Sequence, residues 1–310
     1  MAAAPPTPLY AQVVAACRAR HGRVKIADST GAKLTGSDLL LRSLVLRRIL
    51  RRSLLAPDER TVGLLLPPTA AAVAANLALV LDRRVTANLN YTLTPETIDD
   101  CVLRAGIRHV ITSRAFLERV PISLRNADFI FLEHLRDRAT PLDKAAALLQ
   151  ARFLPAGTLL SSLGLDRVPD DGLFTIIFTS GTTGRPKGVM LSFGNVTSNL
   201  EGVDPVVGWT PDDVVVGVLP FFHSFGSTVT LWAVLTRDVT AVYHTNPLEA
   251  QVIGRLVREW NGTILPATPM FLRSYMRRCS PDEFRSLAVV AVGAERMPES
   301  LATEFTAKFG

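Results

Sequence analysis

The sequence predicts an α/β protein whose mostly parallel sheets are covered by helices on both faces. Short apolar runs rich in β-branched residues alternate with longer stretches that carry helix start signals, at the spacing of βαβ units. A chain of 310 residues with a hydrophobic fraction of 48% can also bury the large core that such a fold requires.

The first half of the chain contains the clearest signals. Residues 24–31 predict a small hairpin. Residues 38–55 predict a helix whose arginines place their stems on the protein and their guanidinium groups in water. Thr69 and Thr94 are suitable N-caps for the two helices that follow them. Buried strands are predicted at 61–66, 85–89 and 109–112.

The second half predicts another α/β layer. Residues 113–171 are less regular, with a helical stretch near 144–152, and a new strand begins at Leu173. Further strands are predicted at 213–219, 239–243, 263–265 and 287–292, with helices at 226–235, 248–260 and 269–278. We therefore predict two α/β subdomains, residues 9–172 and residues 173–310.

The charge of the chain is unevenly distributed. Its net charge is +6, and residues 1–56 contain ten Lys and Arg against two Asp. This basic segment, concentrated at residues 18–52, could contact an anionic membrane surface, but arginine-rich segments are also common without that function. Only Tyr10 is interleaved with these cations, which argues against nucleic-acid binding.

The cysteines and apolar runs indicate the compartment. The three cysteines are scattered, odd in number and without metal-ligand spacing, which argues against a disulfide framework and a metal site. The longest apolar run, residues 70–81, is too short to span a bilayer, and the first eight residues lack the features of a secretory signal. We expect a cytoplasmic protein, with any membrane association confined to the basic segment.

The most informative stretch is residues 179–188, Thr-Ser-Gly-Thr-Thr-Gly-Arg-Pro-Lys-Gly, which follows a β-rich run. Its glycines let the backbone approach a ligand closely, while hydroxyl groups, free N–H groups and the ammonium of Lys187 can surround an anion. The usual P-loop ends in Gly-Lys-Ser/Thr, which Pro186 and Gly188 exclude here. The alternative is a surface turn, but the coincidence of these features favours a polyphosphate site.

This string resembles the phosphate loop of the AMP-forming adenylating enzymes, which include acyl-CoA synthetases, luciferases and peptide-synthetase adenylation domains. Two further motifs share the order and spacing of that family: Leu-Pro-Phe-Phe-His-Ser-Phe-Gly at 219–226 and Val-Ala-Val-Gly-Ala-Glu-Arg-Met at 290–297. The resemblance covers nearly the whole chain. With Ala-Asn-Leu-Asn-Tyr-Thr at 87–92, it is most similar to the ligase half of bifunctional acyl-carrier-protein synthetase/2-acylglycerophosphoethanolamine acyltransferases.

The resemblance implies a truncated form of the large N-terminal domain of these enzymes, with two packed subdomains in αβαβα layers. The residues that would bind the β- and γ-phosphates of ATP are Thr179, Ser180, Gly181, Thr182, Thr183, Gly184 and Lys187. Those that would line the acyl and adenine pocket are Phe222, His223, Gly226, Thr268, Gly293, Ala294 and Glu295. Without the resemblance, His223 could be a packed histidine and the Gly293 segment an ordinary turn.

The implied reaction is the ATP- and Mg²⁺-dependent activation of a fatty acid as acyl-AMP, followed by transfer to a thiol of acyl carrier protein or CoA. Residues 216–230 contain no Asp or Glu, which favours an apolar acid over an amino acid. The family's Tyr-Gly-x-Thr-Glu motif, which helps hold Mg²⁺, and its C-terminal catalytic lysine are not in the sequence. We therefore expect these 310 residues alone to be inactive. The alternatives are a nucleotide- or acyl-binding module without catalysis and a basic membrane-surface adaptor.

Overall fold

The computed structural model describes residues 7–179 and 185–310. The strands are β1 (Val24–Asp28), β2 (Lys33–Thr35), β3 (Thr61–Leu64), β4 (Val85–Asn88), β5 (His109–Thr112), β6 (Asp128–Phe131), β7 (Leu173–Thr179), β8 (Lys187–Ser192), β9 (Val214–Gly217), β10 (Thr240–Tyr243), β11 (Ile264–Ala267) and β12 (Val289–Val292). The helices are α1 (Leu9–Ala19), α2 (Gly36–Ser53), α3 (Ala70–Leu81), α4 (Pro95–Arg104), α5 (Arg114–Arg119), α6 (Leu132–Asp137), α7 (Pro141–Arg152), α8 (Ala156–Leu163), α9 (Phe193–Val207), α10 (Val234–Thr236), α11 (Ala250–Trp260), α12 (Pro269–Arg278), α13 (Pro281–Phe284) and α14 (Glu299–Phe309). A 3-10 helix at Leu165–Arg167 and a π-helix at Gly226–Ala233 complete the described elements.

These strands form two six-stranded sheets. The first sheet has the order β6-β5-β3-β4-β7-β8, and the second has the order β12-β11-β9-β10-β1-β2. Neighbouring strands are parallel except for one antiparallel edge pair in each sheet, β7–β8 and β1–β2. Parallel neighbours require crossover connections, which here contain most of the helices. The predicted fold class, α/β with two parallel-dominated sheets, is confirmed.

The two sheets exchange strands across the predicted subdomain boundary at residue 172. β1 and β2 belong to the second sheet, although they lie in the first predicted subdomain. β7 and β8 belong to the first sheet, although they lie in the second. The sheets are therefore not continuous in sequence, and the division into residues 9–172 and 173–310 stays a prediction about subdomains.

Local signals at the helix ends agree with the structure. The side chains of Thr69 and Thr94 accept hydrogen bonds from the backbone N–H groups of Ala72 and Thr97, which caps α3 and α4. The 226–235 helix is present, but its first part is wound as a π-helix, in which the hydroxyl of Thr230 donates to the carbonyl of Gly226. Helix α1 and strand β6 were not predicted.

One continuous hydrophobic core contains buried side chains from both sheets. Phe174 of β7 packs edge-on against Trp232 of the π-helix, with ring centroids 4.6 Å apart, and at a tilt against Phe193 of α9, with centroids 4.8 Å apart. All three side chains belong to the same buried cluster as Tyr243 of β10. The core thereby joins the hairpin β7–β8 to the second sheet and fixes where the predicted phosphate loop begins.

The basic N-terminal segment is partly internal. Arg20, Lys25 and Arg47 are 2%, 0% and 6% exposed. Arg20 forms an ion pair of 2.7 Å with Asp238, and Arg47 one of 3.2 Å with Asp82. The expectation that the guanidinium groups of α2 all lie in water was therefore wrong for Arg47, because an acidic residue at the end of α3 draws it inward.

This burial reduces the basic surface available at residues 18–52. Arg48 and Arg52 of α2 also form ion pairs with Asp143 of α7, at 3.4 Å and 2.5 Å. Among the described residues, no helix is both long enough and apolar enough to cross a bilayer. Contact of the segment with an anionic membrane stays a prediction, and it would rest on the remaining exposed cations.

Candidate functional site

The predicted phosphate loop connects the two strands of an antiparallel hairpin. Thr179 ends β7, Lys187 begins β8, and the two residues are directly opposite one another in the sheet register. Lys187 is exposed, so its ammonium group is free to meet an anion. Of the predicted loop residues, Ser180, Gly181, Thr182, Thr183 and Gly184 lie outside the described residues.

The second strand of this hairpin is anchored to the first sheet. The guanidinium of Arg104, at the end of α4, donates to the carbonyl of Pro186 at 2.6 Å. On the other side, an added Cβ at Gly188 would contact Ile176 and Phe178 of β7 at 3.2 and 3.3 Å, so β8 packs closely there. These contacts hold Lys187 at a defined distance from Thr179 on the neighbouring strand.

The other predicted site residues gather at the carboxyl ends of parallel strands. The 219–226 motif follows β9, Thr268 follows β11, and the 293–295 segment follows β12. β9, β11 and β12 are parallel and adjacent, so their carboxyl ends meet at one edge of the second sheet. Open α/β sheets bind ligands at this edge.

Phe222 connects this edge to the first sheet. It is 3% exposed, and its ring meets the ring of Tyr91 edge-on, with centroids 4.8 Å apart. Tyr91 in turn packs edge-on against Phe116 at 5.1 Å. Tyr91 follows β4 and Phe222 follows β9, so an aromatic row joins the carboxyl ends of strands from both sheets.

His223 lies at the accessible end of this row. Its ring is 4.4 Å from the ring of Phe222, and desolvation by its surroundings lowers its pKa, while the side chain remains exposed. A neutral imidazole that reaches solvent beside an apolar wall can offer a hydrogen bond to a polar group at the mouth of a pocket.

The second and third motifs meet at Phe225 and Gly293. A Cβ placed on Gly293 would lie 2.8 Å from Cε1 and 2.9 Å from Cδ1 of the Phe225 ring. A side chain at position 293 therefore requires the ring to move. The residues after Gly293 turn sharply, since Ala294 has φ = +67°, which is rare for a residue with a Cβ. Ala294 and Glu295 are both exposed at this edge.

Gly226 and Thr268 have structural contacts of their own. A Cβ at Gly226 would lie 2.1 Å from the carbonyl oxygen of Pro220, so the glycine permits a close backbone approach inside the motif. Thr268 is the N-cap of α12, where its hydroxyl accepts from the N–H of Phe271 at 3.4 Å. The structure thus places Gly226 against backbone, and a pocket-lining role for either residue stays a prediction.

Tyr91 and Phe116 belong to the aromatic row but were not among the predicted site residues. The sequence signal that could have identified Tyr91 is its position just after the parallel strand β4. That strand end is fixed by a buried amide pair, in which Asn88 donates to Asn76 at 2.9 Å and Asn76 donates to the carbonyl of Ala72 at 2.9 Å. Nothing local in the sequence marks Phe116 as its neighbour.

No metal centre is evident in residues 7–179 and 185–310, where no three His, Cys, Asp or Glu side chains are grouped closely enough to hold an ion. For ATP, the hairpin offers the ammonium of Lys187 and the hydroxyl of Thr179, both exposed and on adjacent strands. This donor set fits phosphate oxygens, which accept hydrogen bonds and carry negative charge.

Comparison with known proteins identifies the family. The model of the AMP-binding enzyme family matches residues 13–310. The chain belongs to the AMP-binding enzymes. It is 27% identical over 258 residues to a 4-coumarate–CoA ligase of Arabidopsis thaliana, covering 80% of this chain and 45% of the ligase. It is 26% identical over 214 residues to a p-hydroxybenzoic acid–AMP ligase of Mycobacterium tuberculosis, covering 68% of this chain and 30% of that ligase.

Solved structures share the fold of this AMP-binding enzyme. The o-succinylbenzoate CoA synthetase of Bacillus subtilis superposes with a TM-score of 0.76 at 20% identity, covering 97% of this chain and 56% of the other. The N-terminal subdomain of Klebsiella oxytoca NpsA gives a TM-score of 0.79 at 16% identity, covering 97% and 71%. The chain thus spans less than half the length of the two ligases named above and resembles the N-terminal region of the solved structures in fold.

Proposed function

We propose that the chain is the N-terminal portion of an ATP-dependent, AMP-forming ligase that activates a fatty acid for transfer to a thiol of acyl carrier protein or CoA. The observation that carries the proposal is the contact between Phe225 and Gly293, which brings the second and third motifs together beside an acid-free, apolar segment. Membership of the AMP-binding family supports ATP as the co-substrate.

The proposed reaction has two steps. A carboxylate oxygen of the fatty acid attacks the α-phosphorus of ATP, the bond from that phosphorus to pyrophosphate breaks, and acyl-AMP forms. A thiolate then attacks the acyl carbon, AMP leaves with the bonding electrons, and a thioester results. Mg²⁺, when bound, would neutralise charge at the phosphates, and most of the acceleration would come from positioning and electrostatics.

The residues of this chain would hold the reactants for the first step. Lys187 and the hydroxyl of Thr179 would bind phosphate oxygens next to the loop between them. His223, with a lowered pKa, would offer a neutral hydrogen-bonding group to the carboxylate end of the acid. Phe222 and Tyr91, which pack edge-on against each other beside this edge, would contribute an apolar boundary that excludes water from the alkyl chain.

The acid could instead be aromatic, and one observation favours that second candidate. Tyr91, Phe222 and Phe116 form a row of edge-on aromatic contacts beside this edge, and aromatic side chains pack well against a flat ring. The names of the relatives mention 4-coumarate and p-hydroxybenzoic acid. The fatty acid remains our proposal because residues 216–230 combine apolar side chains with the absence of any carboxylate.

A series of non-hydrolysable acyl-AMP analogues with C4 to C16 chains, together with a 4-coumaroyl and an aminoacyl analogue, tests the proposal by calorimetry. For a fatty acid, affinity rises with chain length by about 0.8 kcal/mol per buried methylene until the pocket is filled. If the 4-coumaroyl analogue binds more tightly than every alkyl analogue, the proposed substrate is an aromatic acid instead of a fatty acid. Failure of all analogues to bind, in protein shown to be folded, rejects a ligase site on this chain.

A further inference from the structure

A cavity of about 820 Å³ opens between α2, α3 and the segment that contains α6 and α7. None of the residues assigned above to ATP or to the acyl acid lines it. Its floor consists of buried apolar side chains, among them Leu34, Ile49, Leu66 and Leu135. This volume is in the range of pockets that enclose small organic ligands. We call it the α2–α3 groove.

The wall that α2 contributes is apolar and partly open to solvent. Leu41, Val45 and Leu46 line the groove and remain half-buried, although they pack against the main core. Ala71 and Ala74 of α3 form the opposite wall with small side chains, which leave the groove its width. Contiguous accessible apolar surface of this kind is typical of a binding site.

The neutral and acidic polar groups in the wall already have partners within the protein. Oδ1 of Asp28 accepts from the N–H and hydroxyl of Thr30, at 2.9 and 2.5 Å, and Oδ2 accepts from the N–H of Ala70 at 2.9 Å. The hydroxyls of Thr69 and Ser113 accept from backbone N–H groups as helix caps. These groups therefore do not select the ligand.

The basic side chains at the groove, unlike these neutral and acidic groups, are available to a ligand. Arg42, Arg136 and Lys144 come from α2, α6 and α7, line the same cavity and are exposed. Within the described ranges, the side chains of Arg42 and Lys144 have no hydrogen-bond or ion-pair partner. The side chain of Arg136 makes only a 3.8 Å contact with Asp137, in which both side chains are largely in water. Such an exposed pair contributes little, so the guanidinium remains available to an anion.

We propose that the α2–α3 groove binds a single-chain fatty-acid anion, separate from the acid that the proposed ligase reaction would consume. The alkyl chain would lie between α2 and α3, where it would cover Leu41, Val45 and Leu46. The carboxylate would meet Arg42, Arg136 and Lys144. An apolar channel with cations and no unpaired acid is complementary to that ligand and not to a neutral lipid or a polyanion.

Titration of decanoate by calorimetry, with the proposed ligase site saturated by a decanoyl-AMP analogue and again without it, tests the inference. Decanoate binds in both arms, and octanoate binds more weakly by about fourfold per missing methylene. Ala71→Phe narrows the groove and weakens decanoate binding at least tenfold, while Ala115→Phe, at an exposed alanine outside the groove, leaves binding unchanged.

Charge reversal at the groove provides a second, independent test. The double variant Arg42→Glu/Lys144→Glu weakens decanoate binding about tenfold or more, but it changes the binding of the uncharged decanol less than threefold. The control double variant Arg255→Glu/Arg277→Glu, at exposed arginines outside the groove, changes the binding of neither ligand. Decanoate binding that is lost in the presence of the analogue, or that ignores Ala71→Phe and the charge reversal, overturns the inference and leaves the ligase proposal intact. If the analogue itself does not bind, the same variants still report on the groove alone.

Discussion

The ring of Phe225 lies against the backbone of Gly293, so closely that a Cβ at position 293 would come within 2.8 Å of it. This contact joins two loops that follow β9 and β12, strands separated in the sheet by β11. Since both loops contain predicted site residues, the contact constrains the geometry of the proposed ligand edge. It also makes the identity of residue 293 depend on the side chain at residue 225.

That dependence predicts a double-mutant result. Gly293→Ala forces the Phe225 ring to move and lowers the free energy of unfolding by about 1–3 kcal/mol, as overpacking does. Phe225→Ala makes room, so the double variant loses less than the sum of the single changes. Gly157→Ala is the control, because a Cβ at Gly157 meets nothing within 4 Å and adds helix propensity. Additive losses in urea unfolding would contradict the contact.

A second prediction concerns the hairpin. Lys187→Ala lowers ATP affinity by roughly 1.5–3 kcal/mol, since charge-assisted contacts to phosphate are the strong ones. Calorimetric titration of ATP measures the loss, and Lys33→Ala, at another exposed lysine, is the control. If the wild type binds ATP and the Lys187 variant binds it equally well, the hairpin is not the phosphate site.

Much of the fold could be predicted because its signals are local. Thr69 and Thr94 cap the helices they precede, and apolar runs with turn residues around them mark β3, β5 and β10. Sheet membership could not be predicted in the same way. β1 pairs with β10 and β4 pairs with β7 across long stretches of chain, and nothing within a strand identifies such a distant partner.

The site shows the same division. The order of strands and motifs placed Phe222 and Gly293 at one sheet edge. Their individual contacts depend on tertiary packing. Gly226 is required by a carbonyl of Pro220, and Phe116 joins the aromatic row through its contact with Tyr91. Composition likewise suggested a basic surface, whereas Arg47 is drawn inward by an acid that lies far away in sequence.

The left-handed conformation of Ala294 predicts a gain in stability. Ala294→Gly removes the clash of a Cβ at φ = +67°, which outweighs the added freedom of the unfolded chain, so the free energy of unfolding rises by about 0.5–1 kcal/mol. The matched control Ala145→Gly, at an exposed position inside α7, lowers it by about 0.5–1 kcal/mol. The same sign for both variants in urea unfolding would show that Ala294 is unstrained.

The buried lysine of β1 predicts a dependence of stability on pH. Lys25 is 0% exposed, and its Nζ donates to the carbonyl oxygens of Arg237 and Val239. Burial lowers its pKa from 10.5 to about 7. Between these two values the unfolded chain binds a proton that the folded protein does not, so this group makes the free energy of unfolding rise with pH. Its contribution to stability is fully present above the pKa of Lys25 in the unfolded chain, 10.5, and is lost as the pH falls through the pKa in the folded protein, about 7.

Lys25→Met removes that dependence while keeping an unbranched apolar stem in the same space. We compare the free energies of unfolding of the two proteins and subtract the wild-type value from that of the variant. Between pH 7.5 and pH 9 this difference should fall by about 1–2 kcal/mol, since each pH unit in this range is worth about 1.4 kcal/mol. Urea unfolding at both pH values measures the difference, with Lys33→Met at an exposed position of β2 as the control. Other groups titrate in this range in both proteins, and the subtraction cancels them. A difference that stays constant, or grows with pH, would mean that Lys25 keeps its charge inside the fold.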